Sequence, residues 1–357
     1  MAEPLAVALG DDASEDRLDA FAAAALEVAS RAESVATTVS MDLSAGGIGI
    51  RLHVCGEPMA VHCRAALEQL QQTTQPLHEL WAFDTLTSGL ELPPPPWPRD
   101  AYGPRDGIAG LASPRYLFSY SLVPGCLSLL DRETRKGLFW TRDAARLPHW
   151  ERSQPLRNLM RWIAREHDLH LLHAAVVGNA QGGILLTGPS GSGKSTTALA
   201  CALLSHLRCL SDDMCLVADS EPPLAHRLYG VAKTDARELE ALAGERSAVI
   251  GRNDLGQSVI RLVDLAPAGA EPLEAVPIRA IVSPRVGSAS MPPERLRGRA
   301  ALLAGGPPSA LELPGGGASE LALISSLLRR VPAFALTLGP DLRSNAACVA
   351  SLLDCTP

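Results

Sequence analysis

The sequence has no excess of positive charge: 32 Lys and Arg residues stand against 39 Asp and Glu residues, and the formal net charge is −7. Proteins that bind nucleic acids normally carry a basic balance or a basic patch, so we expect no nucleic-acid partner. The chain also lacks an apolar run of about 18 residues, which a membrane span requires. Its start is acidic at Asp11 and Asp12 and lacks the basic and apolar segments of a secretory signal, so we expect a cytoplasmic protein.

The eight cysteines are scattered without the regular spacing of a disulfide framework, which is typical of reduced thiols in a cytosolic protein. His53, Cys55, His62 and Cys63 form one local group whose side chains are of metal-ligand type. No CxxC pattern accompanies them, and the surrounding residues alternate as in a strand. Ordinary packing is therefore favoured, and a zinc site is the alternative.

The first half of the sequence mixes helical and strand patterns. Helical periodicity covers residues 14–33, 60–72 and 155–166, and strand patterns cover 37–43, 48–54 and, as two or three strands, 115–141. Consecutive prolines at Pro93–Pro96 exclude a helix or a central strand, which predicts a stiff connector over residues 92–98. A ligand for a proline-binding module is the alternative interpretation of that segment.

From Leu169 onward, short apolar runs alternate with helical patterns, which predicts an α/β domain. The predicted strands are 170–177, 183–187, 208–210, 214–217, 278–284 and 333–338, and the predicted helices are 196–207, 319–330 and 344–354. We place the domain boundary near Trp150. The predicted fold class is α/β, with an α+β N-terminal domain over residues 1–150 and an α/β domain over residues 151–357.

Residues 188–195, GPSGSGKS, match the P-loop pattern G-x-x-x-x-G-K-[ST] in full. Gly191 and Gly193 let the backbone curl so that its N–H groups form an anion nest, Lys194 can reach the β- and γ-phosphates, and Ser195 can offer its hydroxyl to Mg²⁺. A predicted strand precedes the loop and a predicted helix follows it, as the motif requires. The sequence therefore predicts binding of ATP or a similar nucleotide with Mg²⁺. The expected nucleotide-binding residues are Gly188, Ser190, Gly191, Ser192, Gly193, Lys194, Ser195 and Thr196.

Two adjacent carboxylates, Asp212 and Asp213, follow the next predicted strand. In that position one carboxylate can reach Mg²⁺ and the other can take a proton from an incoming hydroxyl group. A solvated turn is the alternative interpretation of the pair. His173 lies in the apolar run before the P-loop strand, where the local pattern alone favours a histidine packed in the core over a functional one.

The combination of Leu172–Val177, the P-loop and Leu210–Asp213 resembles the catalytic domain of HPr serine kinase/phosphorylases. This resemblance implies a P-loop kinase fold of the HPr kinase and phosphoenolpyruvate carboxykinase type. By position it implies that Asp212 is the metal-side carboxylate with Ser195, that Asp213 is the general base, and that Lys194 and His173 act beside them. It also leaves a homo-oligomer open, since members of the family are often oligomeric.

The segments 226–233 and 277–285 are similar to HPr-kinase-related proteins encoded beside lasso-peptide biosynthesis genes. They contain Lys233 and Arg279, which are candidates for a second cation at the phosphoryl group. The segment of HPr kinases that follows the Asp pair and docks HPr is not found in this sequence. The resemblance therefore implies a kinase that acts on a Ser or Thr hydroxyl of a small protein or peptide, and a ribosomal precursor peptide is one such acceptor. A regulatory ATP-binding switch and a small-molecule kinase are the alternatives.

Overall fold

The structure, a computed structural model, describes residues 15–72, 75–98, 100–103, 106–108, 111, 113–266, 273–304 and 317–354. The chain forms two compact units. Unit 1 comprises Met1–Arg64 and Gln71–Ile163, and unit 2 comprises Ala65–Leu70 and Ala164–Pro357. The sequence pattern places one boundary near Trp150, and that boundary stays a prediction.

Unit 1 is built on a six-stranded mixed sheet with the order β1-β2-β3-β6-β5-β4. Its strands are β1 (Thr38–Ala45), β2 (Ile48–Cys55), β3 (His78–Asp84), β4 (Tyr116–Ser121), β5 (Cys126–Asp131) and β6 (Lys136–Thr141). Its helices are α1 (Glu15–Val35), α2 (Glu57–Leu67), α3 (Thr85–Ser88), α4 (His149–Ser153) and α5 (Arg157–Glu166), of which α2 and α5 run on into unit 2. β3 pairs in parallel with β2 and β6, and the other neighbours are antiparallel.

Helix α1 packs its apolar face against this sheet. The buried residues of α1 recur every three or four positions, at Leu18, Phe21, Ala22, Ala25, Ala29 and Ala32. Phe21 contacts Trp97, whose ring centroid lies 5.2 Å away, so the end of the proline-rich connector is anchored in the same core. The described residues of the connector form neither helix nor strand, as predicted.

The patterns in this half predicted the helix at α1, the β1–β2 hairpin, the three strands β4 to β6 and the helix α5, and these predictions are confirmed. The second helix begins at Glu57, earlier than predicted, and its last residues form a 3₁₀ turn at Glu68–Leu70. Strand β3 had no prediction. It is buried along nearly its whole length, so it lacks the alternation that marks a half-exposed strand.

Unit 2 contains a nine-stranded sheet and a separate three-stranded sheet. The larger sheet has the order β10-β8-β9-β16-β12-β11-β7, and β18 pairs with β16 and with β17. The smaller sheet has the order β13-β15-β14. The first strands are β7 (Leu169–His173), β8 (Ala175–Asn179), β9 (Gly182–Leu186), β10 (Arg208–Ser211), β11 (Met214–Ala218) and β12 (Leu224–His226). The remaining strands are β13 (Val231–Thr234), β14 (Val249–Arg252), β15 (Ser258–Arg261), β16 (Ala275–Val286), β17 (Glu294–Leu296) and β18 (Ala333–Leu338).

Helices cover both faces of the larger sheet. They are α6 (Lys194–Leu204), α7 (Arg237–Glu245), α8 (Ala318–Arg330) and α9 (Leu342–Asp354), and residues 298–304 are also helical. Along β9, Ile184 and Leu186 face the core that contains α6 and α9, while Leu185 faces the core that contains α8. The predicted α/β fold class is confirmed, and the predicted helices and strands of this half lie within one to three residues of the observed ones, apart from the longer strand β16.

The predicted strand 170–177 is in fact two strands, because the chain breaks at Ala174 between β7 and β8. These two strands lie near opposite ends of the strand order, and so do β10 and β11. The chain therefore crosses between the ends of the sheet twice, once at Ala174 and once at Asp212-Asp213. Because both crossings join the same two ends, the sheet must curl and bring the crossing points close together.

Candidate active site

The P-loop connects β9 to α6 and needs glycine at three of its positions. Gly188, Gly191 and Gly193 have φ angles of 147°, 78° and 96°. These are values that residues with a Cβ rarely adopt. At Gly193 a Cβ would also lie 2.5 Å from Cδ1 of Leu338. The loop thus depends on its glycines for both its backbone path and its close packing.

Helix α6 begins at Lys194, directly after Gly193. The N–H groups of the first turn of a helix, which here includes Lys194, Ser195 and Thr196, have no acceptor within the helix and point outward from its positive end. Ser190 is exposed at the tip of the loop and Ser192 is buried beneath it. Gly191 has no atom within 4 Å of the position that a Cβ would occupy, so the loop is open on that side.

Lys194 is buried, with 6% of its surface exposed. Its Nζ donates hydrogen bonds to the carbonyl oxygens of Gly188, at 2.7 Å, and of Pro189, at 3.2 Å. These bonds fold the lysine side chain back over the loop that it belongs to. The ammonium group is therefore held inside the curve of the P-loop.

His173 and Asp213 meet because of the register between β7 and β11. In that antiparallel pair His173 lies opposite Met214. Asp213 directly precedes Met214, so it lies close to His173. The Nε2 atom of His173 is 2.7 Å from Oδ1 of Asp213. An ionised carboxylate can only accept, so Nε2 carries the proton in this arrangement.

Asp212 points into the protein, with only 1% of its surface exposed. Its Oδ2 accepts a hydrogen bond of 3.3 Å from the backbone N–H of Lys233. Asp213 points the other way, keeps 27% of its side chain exposed, and has the Nζ of Lys233 3.5 Å from its Oδ2. The two carboxylates therefore have different surroundings, as expected for adjacent residues of an extended segment.

The pKa values of the two carboxyl groups shift in opposite directions. Burial raises the pKa of Asp212 to about 6, and the negative charge of Asp213 acts in the same direction against the weaker effects of Lys233 and the Ser195 hydroxyl. Burial alone would raise the pKa of Asp213 as well. The hydrogen bond from His173 and the positive charges of Lys233, His173 and Lys194 outweigh burial and lower it well below its usual range. Asp213 therefore ionises at a lower pH than Asp212.

Of the two candidate second cations, Lys233 lies at this site and Arg279 does not. The Nε atom of Arg279 donates to the carbonyl oxygen of Gln181 at 3.4 Å. Gln181 is in the turn that precedes β9, and the P-loop follows the other end of the same strand. Arg279 was a candidate because it lies in the segment 277–285. The direction of β9 and β16 shows that it lies away from the P-loop.

The residues at this site fit a Mg²⁺-bound nucleotide. Among the described side chains, Oδ1 of Asp212 and Oγ of Ser192 are buried polar atoms without a hydrogen-bond partner in the protein. A buried acceptor of this kind is costly unless a ligand, water or metal ion satisfies it. Within the part of the chain that the structure describes, no group of three or more His, Cys, Asp or Glu side chains could hold a metal ion. A metal ion at Asp212 and Ser195 would therefore need further oxygen ligands, which phosphates and water supply.

The alternative zinc group in unit 1 is occupied by packing and hydrogen bonds. The ring of His53 contacts Glu33 and Glu79 through its two nitrogens, each at 3.3 Å, and stacks on Trp81. Cys55 and Cys63 are fully buried, and burial raises the pKa of both thiols, to about 12 for Cys63. Zinc binds thiolates, so these buried thiols are poor ligands.

No protein-family model matches the sequence. No curated protein matches it either. Among solved structures, the HPr(Ser) kinase/phosphatase from Coxiella burnetii is similar, with 14% identity and a TM-score of 0.31 over 52% of this chain and 88% of that chain. A match at this score carries no argument about activity. In the described part of the chain, no helix is both long and apolar enough to cross a membrane.

Proposed function

We propose that this protein is a Mg²⁺·ATP-dependent kinase that transfers the γ-phosphoryl group to a Ser or Thr hydroxyl of a small protein or peptide. The observation that carries the proposal is the position of Asp213. Its carboxylate lies between His173 and Lys233, close enough to Lys194 for that charge to act on it. A P-loop alone binds phosphates, whereas an ionised and partly exposed carboxylate beside it supplies an acceptor for a hydroxyl proton.

The P-loop residues would hold the nucleotide. The N–H groups at the start of α6 and the ammonium of Lys194 would bind the β- and γ-phosphates, since they form the positive end of the loop. Ser195 and Asp212 would hold Mg²⁺, and Oδ1 of Asp212 is the atom that lacks a partner in the protein. When bound, the metal ion would neutralise charge on the β- and γ-phosphates.

Asp213 would receive the acceptor hydroxyl. The hydroxyl oxygen forms a bond to the γ-phosphorus while the bond from that phosphorus to the β–γ bridging oxygen breaks and ADP leaves. The hydroxyl proton passes to Asp213 as the new bond forms. The low pKa of Asp213 keeps it ionised before the step, and His173 would fix the orientation of the carboxylate through its short hydrogen bond.

A ribosomal precursor peptide is the acceptor that the resemblance to lasso-peptide-cluster kinases suggests, and it stays a proposal. The test is to incubate the purified protein with Mg²⁺ and ATP labelled at the γ-phosphate, together with Ser- and Thr-containing peptides, their Ala counterparts, hydroxyl metabolites, or no acceptor. We expect label on a peptide hydroxyl, and loss of transfer with retained nucleotide binding in Asp213→Asn.

The other outcomes each identify a different function. Transfer to metabolites alone would make the protein a small-molecule kinase. Nucleotide binding with slow hydrolysis that no acceptor stimulates would contradict the kinase proposal and favour a regulatory switch. Unchanged transfer in Asp213→Asn would remove Asp213 from the mechanism.

A further inference from the structure

Lys233 belongs to a different sheet from the other residues of the site. It lies on β13 in the three-stranded sheet of unit 2, where it pairs with Val259 of β15. His173 and the Asp pair lie on or beside strands of the larger sheet. Lys233 therefore approaches the carboxylates from a separate element.

Lys233 contacts the site at two points. Its backbone N–H donates to Oδ2 of Asp212 at 3.3 Å, which fixes the strand against the buried carboxylate. Its Nζ lies 3.5 Å from Oδ2 of Asp213, and 17% of its side chain is exposed. The first contact holds the backbone of Lys233 in place, so its side chain extends from a fixed point toward Asp213.

The separation between Lys233 and Asp213 is that of a loose ion pair. Charge-assisted hydrogen bonds between nitrogen and oxygen are normally about 2.7–2.9 Å long. The contact between His173 and the other oxygen of Asp213 lies in that range. The ammonium of Lys233 can therefore move toward a new negative charge without breaking a short bond, whereas His173 cannot.

Lys194 and Lys233 differ in what they can reach. The Nζ of Lys194 is held by carbonyl oxygens of the P-loop, on the side where the donor phosphates would bind. The Nζ of Lys233 is beside the carboxylate that would receive the acceptor. Phosphoryl transfer spreads negative charge over the oxygens of the moving group, so a cation on each side of it would stabilise the transition state.

We propose that Lys233 is a catalytic residue that contacts the transferring phosphoryl group from the acceptor side, opposite Lys194. This inference rests on the proposed kinase function. The alternative is that Lys233 only holds Asp213 in position. The two roles differ in experiment, because a catalytic cation acts on kcat through its charge, and a structural contact acts through folding or through the placement of Asp213.

The test compares Lys233→Met, which removes the charge, with Lys233→Arg, which keeps it, and with Arg279→Met as the matched control on the same unit. The readouts are the kcat and KM for γ-phosphate transfer to the best peptide acceptor, and the affinity for a fluorescent ATP analogue. We expect Lys233→Met to lower kcat by roughly 100- to 1,000-fold, as the loss of one transition-state donor does, with little change in nucleotide affinity. Lys233→Arg should retain part of the rate, and Arg279→Met should match the wild type.

Chemical rescue makes the test independent of folding. Ethylammonium added to Lys233→Ala should raise its rate in a saturable manner, because a free cation can replace the missing charge. A kcat for Lys233→Met within about threefold of wild type would overturn the inference. So would an equal loss in the Met and Arg variants together with no rescue. If the wild type released no more γ-phosphate than a variant without Lys194, that result would instead overturn the proposed function, and this inference with it.

Discussion

Asp131 in unit 1 and Asp213 in unit 2 are both carboxylates at the end of a strand or just before one, and both have a pKa below the usual range. In each case burial alone would raise the pKa, and cationic or hydrogen-bonding partners reverse the effect. Asp131 accepts from Nε and Nη2 of Arg115 at 3.0 and 2.8 Å, and its side chain is 3% exposed. It also accepts the N–H of Glu133 at 3.1 Å, which shapes the turn between β5 and β6.

The two carboxylates differ more in the side chains that contact them than in their charge. Arg115 meets both oxygens of Asp131 in a planar fork and does not release its protons, so that contact stabilises a turn. Asp213 meets one nitrogen of His173 at 2.7 Å and the ammonium of Lys233 at 3.5 Å, and it keeps 27% of its side chain exposed. Of these two carboxylates, the one that we propose for chemistry is therefore the one whose partners leave it partly accessible.

Asp213→Asn should have the largest effect. The amide keeps the shape but accepts no proton, so we expect phosphoryl transfer to fall by roughly 100- to 10,000-fold with nucleotide binding retained. Asp131→Asn, the matched control in unit 1, should lower the free energy of unfolding and leave the transfer rate per folded molecule unchanged. A rate loss in Asp131→Asn beyond its loss of folded protein would break the comparison.

The dependence of stability on pH should have opposite signs at Asp131 and Asp212. Burial raises the pKa of Asp212 to about 6 in the folded protein from 3.8, so its contribution to stability falls as pH rises between these values. The pKa of Asp131 is lowered, so its contribution is complete above its unfolded value of 3.8 and is lost as pH falls below it.

Urea unfolding in EDTA across this pH range, for the wild type, Asp212→Asn and Asp131→Asn, measures both slopes. The advantage of Asp212→Asn over the wild type should grow toward pH 6. If that difference stayed flat, the raised pKa of Asp212 would be wrong.

Lys194→Met should weaken nucleotide binding by about 10- to 100-fold, because hydrogen bonds from a charged group contribute about 1.5–3 kcal/mol. Arg115→Met in unit 1 removes a cation from a structural pair away from the P-loop and should leave the affinity unchanged. Titration with a fluorescent ATP analogue measures both variants. Equal affinities in Lys194→Met and the wild type would remove the lysine from the phosphate site.

The smallest expected effect is the difference in the free energy of unfolding between Gly193→Ala and Gly47→Ala. Both glycines have positive φ, 96° and 85°, so alanine costs about 1–2 kcal/mol at either position. A Cβ at Gly47 meets nothing within 4 Å, whereas at Gly193 it would lie 2.5 Å from Leu338. Chemical unfolding should therefore show an additional loss of about 1–3 kcal/mol for Gly193→Ala. Equal losses would mean that Leu338 can move aside.

The sequence predicted those elements whose structure is determined by residues close together along the chain. The strand and the helix that flank residues 188–193 and the β1–β2 hairpin all follow from local patterns, and the structure contains them. Strand β3 was missed because its burial on both faces removes the alternation that identifies a strand. The break at Ala174 was also missed, since an apolar run looks the same whether one strand or two pass through it.

The assembly of the site depends on strand register, which the sequence does not show. His173 was selected through a resemblance, because its local pattern also fits a core histidine. The register of β7 with β11 is what places it beside Asp213. The sequence offered Lys233 and Arg279 equally as candidates for a second cation. The direction of β9 and β16 shows that Arg279 lies at the end of β9 away from the P-loop. The roles of all these residues stay proposals that the experiments above test.

The segment Ala65–Leu70 has a consequence for how this protein can be divided or recombined. It comes from the N-terminal half of the sequence but belongs to unit 2, where the carbonyl oxygen of Ala66 accepts the N–H of Gly230 and Glu68 pairs with Arg261. Gly230 directly precedes the strand that carries Lys233. A single cut between the halves of the sequence would therefore remove these two contacts from the sheet that carries Lys233, so a fragment meant to contain unit 2 must include this segment.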